Sequence, residues 1–213
     1  MALKRAHLNM PSDHSTSKAL ISPQSNLQAV LDAGEFAVTC ELGPPRGPDS
    51  PGVREKVELL RGYVDAASCT DNQGAALKMG NWGAALLCIQ SGLEPIMQLS
   101  CRDRNRLAIQ ADVIAASAFG VRNFMSISGD SLVLGDHPMA KPVFDLQGIQ
   151  LVRLLQRLRD DGITGAGDPI TGDFPFFIGG AANPFAPPYG WRPLRLLKKA
   201  EAGQPFALTQ MIF

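Results

Sequence analysis

Residues able to act on a ligand recur at one kind of place, the end of an apolar run. Phe36-Ala37-Val38-Thr39-Cys40-Glu41 stops against Leu42-Gly43-Pro44-Pro45-Arg46-Gly47. Pro44 and Pro45 lack backbone donors and fix φ, so no ladder continues through them. Glu41 is therefore expected at the C-terminal tip of a buried strand, beside a rigid exit turn. Other runs end at Thr70, at Gly129-Asp130, at Asn183 and at Gln210, and one carries Gln98 part-way along. A carboxyl group among apolar walls holds its proton more tightly and can act as a general acid near neutral pH. That is the chemistry expected of Glu41. Asp130, placed after a glycine, stays charged where backbone or ligand hydrogen bonds reach it. The amides Gln98 and Gln210 suit a heteroaromatic ligand with alternating donors and acceptors. Each residue alone is an ordinary polar loop start; the set at one end of a sheet reads as a site.

Other chemistries find no footing. The sequence has no GxGxxG and no P-loop, and Gly179-Gly180 is a lone pair. Of the three histidines, His7 and His14 lie in a polar leader and His137 in a long loop, too scattered for a metal site. The four cysteines, Cys40, Cys69, Cys88 and Cys101, fall inside apolar runs without a CxxC pair. They are expected to be buried reduced thiols, which suits a cytoplasmic chain. Lys+Arg and Asp+Glu balance at 20 each, so a nucleic-acid or anionic membrane surface is not expected. No apolar run is long enough to span a bilayer, and Lys4-Arg5 is followed by no signal-peptide core.

The elements that must position these tips alternate. Residues 1–24 are polar and read as a flexible leader, and residues 25–213 as the folded domain. Asn26 is expected to cap a helix through Ala33, followed by a strand over Phe36–Glu41. Asp49 or Ser50 caps the next helix, with Val53, Val57 and Leu60 on one face. Strands are expected at Val64–Cys69, Pro95–Cys101, Asn123–Ser128, Phe174–Ile178 and Phe206–Ile212. Helices fall between them: one reaching about Gly92, one from an Asp103 cap through Phe119, one bearing the Ile149–Leu158 stripe, and one over Pro193–Ala202. Gly179 through Pro184 is expected to close the fifth strand. Uninterrupted alternation means a parallel sheet covered on both faces. The sixth strand leads straight to Phe213, which predicts a (β/α)₈ TIM-type barrel with about six of its eight units present. The exposed edges of such a sheet predict an oligomer or a complex.

Several stretches together resemble the methylenetetrahydrofolate reductases, flavoproteins with a (β/α)₈ barrel. They are Cys40 through Arg46, Ser68-Cys69-Thr70, Leu99 through Asn105, Gly120 through Asn123, and Ser128-Gly129-Asp130. Gly135-Asp136-His137-Pro138, Val143 through Leu146, Gly179 through Pro184, Lys198 through Gly203, and Thr209-Gln210 also fit. They cover residues 35–213 in order. The resemblance implies reduction of 5,10-methylenetetrahydrofolate to 5-methyltetrahydrofolate through FAD, with NAD(P)H or an electron-transfer protein as donor, a reaction expected to be incomplete in this chain by itself because the last two barrel units are absent. It implies Glu41 as the general acid that opens the five-membered ring, Asp130 beside the flavin and folate, and Gln210 at the folate. It places Thr70, Gly129, Asp130, Asp145 and Lys199 at FAD-contacting positions. Gln98, Ser128 and Asn183 depart from the His, Arg and His common in the family, and Arg192 and Arg195 replace an acid and an amide. How the FAD ribose and pyrophosphate are held is left open by these departures. Two rival readings stay open: a pterin-binding methyltransferase barrel without flavin, and a non-catalytic interaction module.

Overall fold

The computed structural model describes residues 24–211. The expected leader lies outside them except for Gln24, as do Ile212 and Phe213 at the end of the expected last strand.

Six strands form one sheet: β1 (Thr39–Leu42), β2 (Ala66–Cys69), β3 (Pro95–Ser100), β4 (Asn123–Ile127), β5 (Phe177–Ala182) and β6 (Phe206–Thr209). Every neighbouring pair is parallel, and spatial order equals chain order. A doubly wound sheet reverses direction at a switch point. Here each strand adds to the same side of the last, as barrel staves do, and the sheet curls into part of a barrel. Helices α1 (Asn26–Asp32), α2 (Ser50–Leu60), α3 (Asn81–Gln90), α4 (Arg106–Ala118), α5 (Gly148–Gln156) and α6 (Trp191–Glu201) alternate with the strands. No helix among the described residues is long and apolar enough to cross a membrane.

The two faces of the sheet separate by the period of two that strands impose. Ala67, Cys69, Met97, Leu99, Phe124 and Ile178 point outward into the core shared with the helices. Ala66, Ile96, Met125 and Phe177 point inward and form a second, smaller cluster with Leu27 of α1. Helix α1 closes the end where the strands begin. Glu94 fixes it there, its carboxylate accepting from Asn26 N at 2.7 Å and Leu27 N at 3.0 Å and from Asn123 Nδ2 at 2.9 Å. The opposite end, where the strands finish, is left free for a ligand.

Strands β1, β2 and β5 begin two or three residues later than the sequence reading and β6 ends at Thr209; three further differences have a local reason. Ser25, not Asn26, caps α1, its hydroxyl accepting from Gln28 N at 3.0 Å. Asn105, not Asp103, caps α4, because Asp103 is already engaged by the Arg102 guanidinium. Strand β5 runs through the glycines expected to end it. A Cβ on Gly179 would lie 2.2 Å from the Phe206 ring, and one on Gly180 2.1 Å from Gln204 Oε1. These glycines let β6 pack close, with Phe206 stacked on Phe177 at 4.8 Å.

All four cysteines are free thiols. Cys69, Cys88 and Cys101 are buried, whereas Cys40 is only half-buried. Burial pushes the Cys101 thiol up to about 11, and Cys69 and Cys88 face each other at 3.8 Å inside the outer core. A thiol-specific disulfide reagent on the native protein is therefore expected to label Cys40 first, the other three reacting only on unfolding. Labelling of Cys101 as fast as Cys40 would contradict the packing.

Candidate active site

A cleft of about 1340 Å³ opens at the C-terminal ends of the strands. The residues singled out from sequence that line it together include Glu41, Thr70, Gln98, Gly129, Asp130, Asn183, Lys199 and Gln210.

Glu41 projects from β1, and its Oε1 accepts from Gln73 Nε2 at 2.8 Å. Its side chain is exposed, so the apolar walls expected around it are not present among the described residues. Thr70 follows β2 and is only 1% exposed, yet its Oγ1 has no hydrogen-bond partner. A buried hydroxyl left unpaired carries a desolvation cost that a ligand atom in the cleft would relieve. Next to it, the Asp71 carboxylate accepts from Ser100 N at 2.8 Å and pairs with Arg104. Burial raises the Asp71 pKa, while the Arg104 guanidinium and the Ser100 N–H oppose the rise.

The fourth tip depends on a glycine. Gly129 has φ +88°, and a Cβ there would come 2.4 Å from Ser100 Oγ and 2.9 Å from Arg102 Cβ. No side chain fits, so bare backbone lines the cleft at this point. It hands the chain to Asp130, whose Oδ2 accepts from Gly74 N at 3.2 Å. Under both tips lies Arg102, 1% exposed. Its Nε and Nη2 grip Asp103 at 2.7 and 2.6 Å, Nη1 donates to the Asp130 carbonyl at 3.3 Å, and Nη2 to the Asn72 carbonyl at 3.2 Å. One buried cation thus ties the turn after β2 to the turn after β4.

Lys199 comes from α6 and is buried at the cleft wall, its ammonium donating to the Ala181 carbonyl. Burial lowers its pKa, and the neighbouring Arg195 lowers it further. Arg195 lines the same wall. Gln210 is held by its backbone N–H on the Ala182 carbonyl at 2.8 Å, leaving its side chain exposed at the mouth. Gln98, on the inner face below, donates to Ser68 Oγ at 3.0 Å.

Asp145 is the exception. It does not line the cleft. Its carboxylate takes the Arg106 guanidinium at 2.8 and 3.0 Å and the Arg106 N–H at 2.9 Å, at the first turn of α4. Those bonds hold its carboxyl down to about 2. Gln73 and Arg102 are the residues that sequence reasoning passed over as site components. The available sign was Arg102-Asp103-Arg104, three charges directly after an apolar strand.

The arrangement offers two carboxylates at the rim, a buried unpaired hydroxyl, a stretch of bare backbone and cations on one wall. Such a set suits a large ligand with a polar edge and an anionic portion, together with a second ligand able to take a proton. Among the described residues no group of three or more His, Cys, Asp or Glu is placed to hold a metal ion. No match to the chain is found among curated proteins. The sequence profile of the family described as methylenetetrahydrofolate reductase matches residues 26–213, a span that takes in all six strands and the whole cleft lining. The chain belongs to the methylenetetrahydrofolate reductase family.

Proposed function

We propose that this chain carries the FAD-dependent reduction of 5,10-methylenetetrahydrofolate to 5-methyltetrahydrofolate, with NAD(P)H or an electron-transfer protein as donor. Family membership supports methylenetetrahydrofolate reduction in general and an oxidoreductase acting on folate. The family is built on a TIM barrel, and the curled six-stranded parallel sheet is consistent with part of one. The observation that carries the finer reading is the pair of acids at one mouth, Glu41 and Asp130, joined through a single turn by Gln73 and Gly74.

The residues of the cleft fit FAD. Thr70 Oγ1 is a buried polar atom in need of a partner, and Gly129 leaves a space that a Cβ would fill. Lys199 and Arg195 supply positive charge for a diphosphate on the α6 wall. Asp145, committed to Arg106, is left out of this set. Bound FAD supplies hydride transfer. Glu41 gives a proton to the folate nitrogen that leaves as the five-membered ring opens, which makes the one-carbon unit an iminium able to accept hydride. Gln210 orients the folate at the mouth. The free thiols suit a cytoplasmic compartment.

The test is to load the protein with FAD, reduce it anaerobically and add methylenetetrahydrofolate. Return of the oxidised flavin absorbance with formation of methyltetrahydrofolate supports the proposal. FAD binding without reoxidation by the folate would overturn it.

Asp130 adds a separate expectation. A carboxylate beside the flavin disfavours negative charge building up on the ring. Asp130→Asn should therefore raise the reduction potential of the bound flavin and slow hydride delivery to folate. Equilibration against a reference dye measures it. An unchanged or lower potential would place Asp130 away from the flavin.

A further inference from the structure

The turn after β2 touches both acids of the cleft, and its backbone is held in an uncommon shape. Asn72 has φ +46°, Gly74 +66° and Ala75 +56°. A left-handed alanine costs free energy and persists only where surroundings enforce it. Here they do. Arg102 donates to the Asn72 carbonyl at 3.2 Å, Asn72 Oδ1 accepts from Lys78 N at 3.0 Å, and Gly74 N is spent on Asp130. Gly135 makes room from the facing loop, since a Cβ there would sit 1.9 Å from the Ala75 carbonyl oxygen. Gln73 of this turn lines the cleft, and its amide meets the Glu41 carboxylate at 2.8 Å. No other hydrogen-bond or ion-pair partner of that carboxylate exists among the described residues.

We propose that Gln73 is a positioning residue for Glu41, its amide holding the carboxyl group of the acid at one place over the cleft. The inference rests on the reading of Glu41 as proton donor. A glutamate at an exposed strand tip otherwise samples many rotamers, and few of them point a proton at one ligand atom. An amide suits this task because it serves both charge states. Its N–H donates to the carboxylate, and after the amide turns over, its carbonyl accepts from the protonated acid. Glu41 can thus lose and regain its proton without losing its tether. A lysine or arginine in this position would hold only the charged form.

The experiment compares Gln73→Met, of similar length without a donor, and Gln73→Glu, of similar shape with a like charge. In the flavin-free protein with labelled glutamate, the side-chain coupling constants of Glu41 should change from one rotamer to an average in both variants. The Gln73 side-chain N–H resonance should lose its hydrogen-bond shift when Glu41→Met, which has no oxygen to accept it, is introduced. With FAD loaded, the folate half-reaction should slow about tenfold in Gln73→Met and at least as much in Gln73→Glu. FAD affinity and the KM for folate should stay within about twofold, since uniform binding is untouched. Parent-like Glu41 couplings with an unchanged half-reaction in both variants would overturn the role of Gln73. Loss of reduction in Glu41→Gln alongside that result would leave the acid reading standing. Full reduction in Glu41→Gln would instead remove the acid reading itself.

Discussion

Glu41→Gln is expected to bind FAD as the parent does and to lose folate reduction by about 10²–10⁴-fold, the usual contribution of a positioned general acid. The substitution is nearly isosteric. An amide at this tip still fills the same volume and still offers an oxygen to Gln73, whose Nε2 now meets Glu41 Oε1 at 2.8 Å. What it lacks is a proton to give. The lesion should therefore divide the two half-reactions. Reduction of the flavin by its donor requires no protonation of folate and should proceed at the parental rate. Oxidation of the reduced flavin by methylenetetrahydrofolate requires the ring to open and should nearly stop. Rapid-mixing absorbance measurements of each half-reaction read this directly. Equal turnover of variant and parent in the folate half-reaction would reject Glu41 as the acid. Equal slowing of both halves would show damage to the flavin site instead.

The architecture was legible because parallel strands covered on both faces are continuous apolar runs, and each run here ends in punctuation. Thr70, Gly129-Asp130 and Gln210 were found as tips for that reason, and they do meet in one cleft. What escaped was anything decided across the sheet. Gly179 and Gly180 look like terminators in a string of letters. Only the arrival of Phe206 and Gln204 from the next unit shows that they keep β5 open to close packing. Asp103 has the right chemistry to cap α4, and so does Asn105. Arg102 decides between them by occupying Asp103. Asp145 stands in a stretch that resembles a flavin contact, but its partner is Arg106, 39 residues away in the chain. Gln73 sits in a polar turn that pattern reading treats as a connection. Its meaning comes from Glu41, 32 residues earlier.

Arg102→Met should unfold the site more thoroughly than any change at the rim. The guanidinium is 1% exposed and makes two bonds to Asp103, one to the Asp130 carbonyl and one to the Asn72 carbonyl. Those bonds raise its own pKa, so it is charged throughout the working range. Methionine fills much of the volume but donates nothing. Two carbonyls lose a donor, and Asp103, with its side chain 26% exposed, loses its counter-charge. Breaking a buried pair in this way typically costs about 3–5 kcal/mol. Partial access of water to Asp103 favours the lower end, about 3 kcal/mol, or a fall in Tm of about 6–12 °C for a domain of this size. The functional loss should exceed the loss of stability. The turn carrying Gln73 and the tip carrying Gly129-Asp130 share this one tether, so both can drift and FAD affinity should fall as well. Pairing Arg102→Met with Asp103→Leu separates the two effects, because removing the stranded carboxylate should restore most of the Tm without restoring FAD binding. Thermal denaturation and flavin titration of the single and double variants measure both quantities. A single variant melting within about 2 °C of the parent with unchanged FAD affinity would show that the turns are held by other means.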